Sequence, residues 1–558
     1  MGKRHPIKAL SNGVKSYFNV PEHKADPERL SPQNMIMFSL GTLGRDFVYN
    51  LFAGYLITYI MFTKTLTDAQ FGIVTIIMVA ARIFDAFNDP LMGGIVENTR
   101  SKWGKFKPWQ FVGAILTGGV IIGVFSNNLQ GDNFLILLGV LYFLFSITFT
   151  MNDISYWGML PSLSSNEQDR SKITSFAQLV ASAGSGLSGL LIPILTAGSA
   201  ALGGSAVTGY MWISIISVIL MIAFQMFTIF GVKEKPLSPL EVKQPRMTLK
   251  DMFKVLVKND QLMWSTLIML IFCVGTGVVN AGLLTNYIYF EFGYEGSYTI
   301  YFFAISSVAS VLFTALYPKL VEKFTRTKLL YTTGFSMILG YALILIFGLA
   351  IPHGAPGTAF WYAKFVMLII SNGFVGFGQG FYMIMVLSMT NTVEYNEYKT
   401  GERKEGLILS LRPFTAKLSS AINQGLVYLV FLAANAFNIT NRISEIERDA
   451  VNAGADFNKM ELINQVMSEV TPQTITIILV CMCVIPIVFM GAALLIYKKK
   501  YILDDNKYAE ICEIIKERRI EKEKENKETE SIETNTNENV EIINKQDEII
   551  DKQDNNIK

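Results

Sequence analysis

Repeated apolar stretches limit what this chain can become. Runs of roughly 20 or more mostly apolar residues, the length a helix needs to cross ~30 Å of hydrocarbon, recur about a dozen times along it. They lie near 35–62, 70–96, 108–126, 131–159, 173–196, 207–231, 260–290, 297–322, 328–351, 361–390, 407–436 and 472–497. A soluble domain rarely holds more than one such run, so lipid is the solvent the sequence anticipates, and a balance of 51% hydrophobic to 17% charged residues agrees. The fold class expected is an all-α membrane protein of about twelve transmembrane helices.

The loops give an orientation, because Lys and Arg are retained on the cytoplasmic side. They gather in alternate loops: Arg100, Lys102, Lys105 and Lys107 after the second run, Arg170 and Lys172 after the fourth, and Lys233 through Lys258 after the sixth. Lys323, Arg326 and Lys328 follow the eighth run, and Lys399, Arg403 and Lys404 the tenth; Lys64 is the main exception. Both termini are therefore expected in the cytoplasm of a multi-pass protein of the cell membrane. Residues 1–34 are polar and basic without an apolar core or small-residue cleavage site, so they are read as a cytoplasmic segment and not a signal peptide. The charged loop 232–259 divides the runs into two halves of six, 35–231 and 260–503. Loops 93–109 and 317–330 match in place and charge, as do 161–173 and 391–406, which is the pattern of an internal repeat. The polar stretch 437–471 carries helical periodicity in Ile443, Ile446, Val451, Leu462 and Val466 and is expected to be an extracytoplasmic cap. The tail 504–558 is expected to be cytoplasmic: an amphipathic helix on Tyr508, Ile511, Ile514 and Ile515, then a composition typical of disorder.

Charges inside the apolar runs carry the most information. The first run holds Arg45 and Asp46, the second Arg82, Asp85, Asn88 and Asp89, the fourth Asp153, and the eleventh Arg412 and Lys417. Each charge at a helix centre costs roughly 2.5–3.5 kcal/mol on insertion scales, whereas each Leu, Ile, Phe or Val returns only ~0.3–0.6. Arg82, Asp85 and Asp89 recur at three- and four-residue spacing and share one helical face with Asn88 beside them. Two carboxylates one turn apart, an amide oxygen and a hydroxyl from Thr150 make an oxygen-rich site for a small hard cation, sodium or a proton. Internal salt bridging is the competing reading. An apparent excess of carboxylates over local cations argues for a mobile partner instead. Pro90 removes a backbone donor next to Asp89. Asp153 and Trp157 are also one turn apart, and a carboxylate beside an indole suits the hydroxyls and C–H face of a sugar, although a Trp near a span end is more often an interfacial anchor.

Several chemistries are excluded or disfavoured. Cys273, Cys481, Cys483 and Cys512 lack metal-site spacing, and His5, His23 and His353 fall in termini or loops, which leaves no histidine proton relay. GSGLSG (184–189) and GFVGFGQG (373–380) lie inside apolar runs, so close helix packing is the expected use rather than nucleotide binding. Without a Walker motif, ATP-driven transport is not expected. The chain reads as a carrier, not an enzyme, with no cofactor and no nucleic-acid partner.

The segments GTLGRDF (41–47), ARIFDAFNDPLMGGIVENTRSKWGKFKPW (81–109), TMNDISYWGMLPS (150–162) and NTVEYNEYKTGERKEG (391–406) closely resemble the glycoside–pentoside–hexuronide:cation symporters, of major facilitator fold. The resemblance runs from about residue 35 to 500. It implies a coupling-cation site at Asp85, Asn88, Asp89 and Thr150, sugar contacts at Asp46, Asp153 and Trp157, and Lys417 near the cation site; Lys417 is also counted among the substrate contacts, since it or Arg412 could receive an acidic sugar. Where a family member that binds a galactoside has an arginine in span five, this chain has Gln178, so its specificity is expected to differ. The tail is too short for the phosphotransferase-like domain of some relatives. The implied activity is symport of a sugar or glycoside with a monovalent cation by a monomer in the bilayer. A lipid or drug carrier of the same fold, or a non-transporting sugar sensor, are the other classes.

Overall fold

The computed structural model describes residues 31–163, 167–233, 249–402, 408, 411–453 and 457–520. The segment 1–30, residues 234–248 of the middle loop, Arg403, Lys404 and the tail beyond 520 lie outside the described residues.

The first half comprises α1 (Pro32–Thr63), α2 (Asp68–Asn98), α3 (Lys107–Phe125), α4 (Gly131–Gly158), α5 (Glu167–Thr196) and α6 (Ala206–Gly231). A short α7 (Leu249–Lys258) leads into the second half. There α8 (Asp260–Val278) passes through a π-helical turn, Val279–Leu283, into α9 (Leu284–Phe292). Gly282 takes φ 129° in that turn, a conformation that favours glycine. Next come α10 (Ser297–Lys323), α11 (Arg326–Ala350), α12 (Ala359–Gly378), α13 (Gly380–Thr390), α14 (Thr392–Thr400) and α15 (Leu411–Ala433). The insert holds α16 (Ala436–Asn452) and α17 (Lys459–Ser468); α18 (Pro472–Lys500) and a helix over 505–520, α19, follow.

Among the described residues, ten helical segments are long and apolar enough to cross a membrane, and α2, bent by 42° between Asp85 and Phe87, makes eleven. The remaining expected span is α1: its 32 residues extend ~48 Å at ~1.5 Å each, but Arg45, Asp46 and Asn50 dilute its hydropathy. The bend in α2 falls four residues before Pro90, where a proline ring meets the carbonyl of the preceding turn.

The helix pairings repeat between the halves. α1 packs on α5 and α6 as α8 packs on α15 and α18; α2 and α3 pack on α4 as α10 and α11 pack on α12; and α3 on α6 corresponds to α11 on α18. The seams between halves are paired in the same way, α2 against α15 and α5 against α10. This architecture is the all-α major facilitator fold. Close approach is permitted by small residues: a Cβ on Gly44 would lie 2.4 Å from the Leu220 carbonyl oxygen, and one on Gly184 would lie 2.2 Å from that of Leu43. Phe47, Val48, Leu51, Phe52, Leu56 and Ile60 of α1 are fully buried as a result.

Candidate functional site

Among the described residues, two charged clusters inside the bundle hold Asp46, Asp85, Asp89 and Asp153. The first is built where α2 and α4 run parallel. A capping box starts α2, with Thr67 accepting from the Gln70 N–H at 3.2 Å and Gln70 accepting from the Thr67 N–H at 3.0 Å. The Gln70 amide also donates to Asp132 in the first turn of α4 at 2.7 Å, which sets the register of the two helices. Further along, the Ser146 hydroxyl donates to Asp85 and the Thr150 hydroxyl donates to Asp89 at 3.1 Å, both pairs separated by 61 residues. A constant difference of this kind, stepping by four, is how two parallel helices face each other. The Asn88 amide donates to the Ser146 carbonyl at 3.3 Å.

Arg82 closes one side of this cluster, its Nη1 lying 3.3 Å from Asp85 Oδ2 on the same face. Lys417 of α15 closes the other across the seam between halves; its ammonium contacts Asp89 and lies 3.9 Å from Asp85 Oδ2. Asp85 is almost wholly buried, with 4% of its side chain exposed, whereas the side chains of Asp89 and Lys417 are 34% and 31% exposed. Asp89 and Lys417 therefore form the accessible edge.

Asp46, Asp153 and Trp157 make the second cluster, organised by Arg45. Its guanidinium lies 3.0 Å from Asp46 Oδ2 and 3.1 Å from Asp153 Oδ1, with its carbon 4.6 Å from the Tyr156 ring centroid and 5.3 Å from that of Trp157. Arg45 is buried while Asp153 is open. Thr150 and Asp153 are three residues apart on α4, a rise of ~4.5 Å, so one helix serves both clusters.

The structure bears on several sequence expectations. Asp85 and Asp89 are matched by Arg82 and Lys417, so no excess of negative charge exists there among the described residues; the excess lies at Asp46 and Asp153, which share Arg45. Lys417 touches the carboxylates of α2 and not those of the second cluster, as its place in the α2–α15 seam dictates. Trp157 packs against Phe38 and Tyr156 beside Arg45, which is not the setting of an isolated interfacial anchor. Gln178 is exposed on α5, and its described hydrogen bond is the one its carbonyl accepts from Ser182, so it is not brought to either cluster. Arg412 lies over the Tyr382 ring and donates to its hydroxyl at 3.2 Å. Ser146 and the bridging role of Arg45 escaped the sequence reading. Ser146 stands four before Thr150, a spacing that could have marked it.

The comparisons fit this architecture. Residues 37–505 match the family model described as MFS/sugar transport protein. The lactose permease of Leuconostoc lactis is 30% identical over 72% of this chain and 62% of its own, and that of Lactobacillus helveticus is 28% identical over 90% and 74%. The raffinose carrier protein of Pediococcus pentosaceus is 29% identical over 70% and 61%. The chain thus spans somewhat under two thirds of the length of two of these relatives. Among solved structures, a nucleoside transporter, NupG, aligns with TM-score 0.54 at 13% identity over 83% of this chain and 99% of its own. A D-xylose–proton symporter aligns with TM-score 0.52 at 14% identity over 79% and 98%. Those likenesses concern the fold. The chain belongs to the MFS/sugar transport family, among the glycoside–pentoside–hexuronide:cation symporters of the major facilitator superfamily.

Proposed function

We propose that this protein is a secondary active symporter that couples a monovalent cation to the uptake of a sugar or glycoside across the cell membrane. The observation that supports it most is the accessible edge of the first cluster: a carboxylate pair on α2 faces a lysine from the opposite half. A mobile cation and the Lys417 ammonium would compete for the same oxygens. Asp85, Asp89, Asn88 and Thr150 are the proposed cation ligands, with neutral oxygens from Asn88 and Thr150 favouring sodium over a proton. Asp46, Asp153 and Trp157, held by Arg45, are the proposed sugar contacts.

In this mechanism the cation binds first and displaces Lys417 from Asp89. The freed α2–α15 seam then adjusts, and the change passes along α4 from Thr150 to Asp153, raising sugar affinity. Coupling is a free energy shared by the two sites, and it acts in both directions. In this scheme only the empty and the doubly loaded carrier reorient at a useful rate. The alternation of basic loops supports a cytoplasmic side for both termini in this reading.

The relatives are named for lactose and raffinose, so these head the test panel. Labelled sugars should enter membrane vesicles faster with sodium than without, and unlabelled sugar inside should drive counterflow. Neither uptake nor counterflow across the panel would overturn the reading.

A further inference from the structure

The insert between α15 and α18 reaches beyond its own half. On α16, Asn441 accepts from the Leu66 N–H at 3.1 Å and donates to the Leu66 carbonyl at 2.8 Å, gripping the end of α1. The Thr65 and Ser444 hydroxyls meet at 3.1 Å, and Phe71 of α2 stacks on Phe437 with centroids 4.4 Å apart. One turn further lies Glu447, a carboxylate with no exposed surface.

Glu447 has partners from both halves. Its carboxylate accepts the Ala206 N–H, in the first turn of α6, at 2.7 Å, and its backbone carbonyl accepts from the Ser205 hydroxyl. Lys459 of α17 donates to both carboxylate oxygens at 3.3 Å and to the Gly198 carbonyl at 3.0 Å. Glu295, between α9 and α10, accepts from the Ser199 N–H at 3.2 Å and closes the neighbouring gap. A buried ion pair carried wholly by the insert is thus capped by the 198–206 turn of the first half.

We propose that Glu447 and Lys459 form an extracytoplasmic latch, which holds the carrier shut on the insert side and must release the 198–206 turn whenever that side opens. The inference rests on the alternating-access reading above. Opening by rigid-body rocking leaves Glu447 and Lys459 together but takes Ala206, Ser205 and Gly198 away, so both charges lose partners supplied by the first half. Among the described residues, the hydrogen bonds between the halves cluster at the insert end, with Lys417–Asp89 deeper. The insert therefore biases the resting carrier toward the state seen here. A hydrogen bond to a charged group shifts an equilibrium by roughly ten- to a hundredfold.

The test needs no substrate, so its failure and the failure of the uptake assay are distinguishable. Thr58 of α1 is buried, facing Gly282 of the opposite half. A Thr58→Cys reporter is labelled with a membrane-impermeant maleimide in right-side-out vesicles, with the chain lacking the reporter as blank. Glu447→Ala should speed labelling by about tenfold or more, and Ser205→Ala, which leaves the ion pair intact, by a smaller factor. The swapped pair Glu447→Lys with Lys459→Glu should stay fast, because a lysine cannot accept the Ala206 N–H and a carboxylate at 459 faces the Gly198 carbonyl. Slow labelling restored by the swap would mean an internal staple of the insert and overturn the latch. Parent-rate labelling in Glu447→Ala would overturn it too, and should that variant not reach the membrane, parent-rate labelling in Ser205→Ala does so.

Discussion

Lys417 reaches Asp89 across the seam between the two halves, joining α15 to α2 within the bundle. This contact supplies inside the protein the positive charge that a coupling cation would bring from outside. The empty carrier can then reorient with its carboxylates neutralised. Replacing Lys417 with Gln leaves Asp85 and Asp89 facing only Arg82. Net uptake, which requires the empty carrier to return, should fall at least about tenfold, while counterflow, which does not, persists. Equal losses in the two assays would contradict a role confined to the empty state.

Asp89 is the member of the carboxylate pair that is both accessible and held by Lys417 and Thr150. Asp89→Cys removes the anionic ligand and strands the lysine. Cation-stimulated uptake should disappear in that variant, and normal sodium stimulation would sink the cation assignment. Thr150→Val, which loses one neutral oxygen and keeps the shape, should raise the sodium concentration for half-maximal uptake without removing stimulation.

Arg45 joins Asp46 to Asp153 from a buried position between two aromatic rings. A lysine keeps the charge but lacks the planar fork that can face two carboxylates and lie over a ring. Arg45→Lys should therefore weaken sugar affinity by roughly ten- to a hundredfold, the scale of ~1.5–3 kcal/mol for a charge-assisted hydrogen bond. Sugar binding measured by competition in membranes checks this, with sodium affinity in the absence of sugar as the internal control. An unchanged sugar affinity would remove Arg45 from the site.

The parts of this molecule legible in the sequence are those set by local periodicity. Apolar runs mark the spans, and the spacing of Arg82, Asp85 and Asp89 places them on one face, as the structure has them. Lys417 was marked by its depth in an apolar run, but its place beside Asp89 came by resemblance, because no local pattern says which helix lies opposite α2. Ser146 was missed for the same reason, since its meeting with Asp85 depends on the register of α2 against α4. In the insert, Ile443 and Val466 of the periodic set are buried, but Val451 and Leu462 are exposed, and Ile463 is buried beside Leu462. Glu447 and Lys459 carried no sequence signal, because their partners lie more than 240 residues away in the first half.

The glycine runs give a prediction in which neighbouring residues differ. Gly184 and Gly186 occupy the same motif, yet a Cβ on Gly184 would lie 2.2 Å from the Leu43 carbonyl oxygen, whereas one on Gly186 would meet nothing within 4 Å. In the other glycine run, Gly376 is placed like Gly184, with a Cβ 2.3 Å from the Ser306 carbonyl oxygen. A backbone atom cannot swing aside as a flexible side chain can, so Gly184→Ala must push α5 away from α1, and Gly376→Ala must push α12 away from α10. Overpacking of this kind costs typically ~1–3 kcal/mol, while alanine improves on glycine inside a helix by about 1 kcal/mol where space allows. In thermal denaturation of the detergent-solubilised protein, Gly184→Ala and Gly376→Ala should melt lower than the parent, and Gly186→Ala at or above it. A common shift in all three variants would mean that helix propensity, and not the α1–α5 and α10–α12 contacts, decides the outcome.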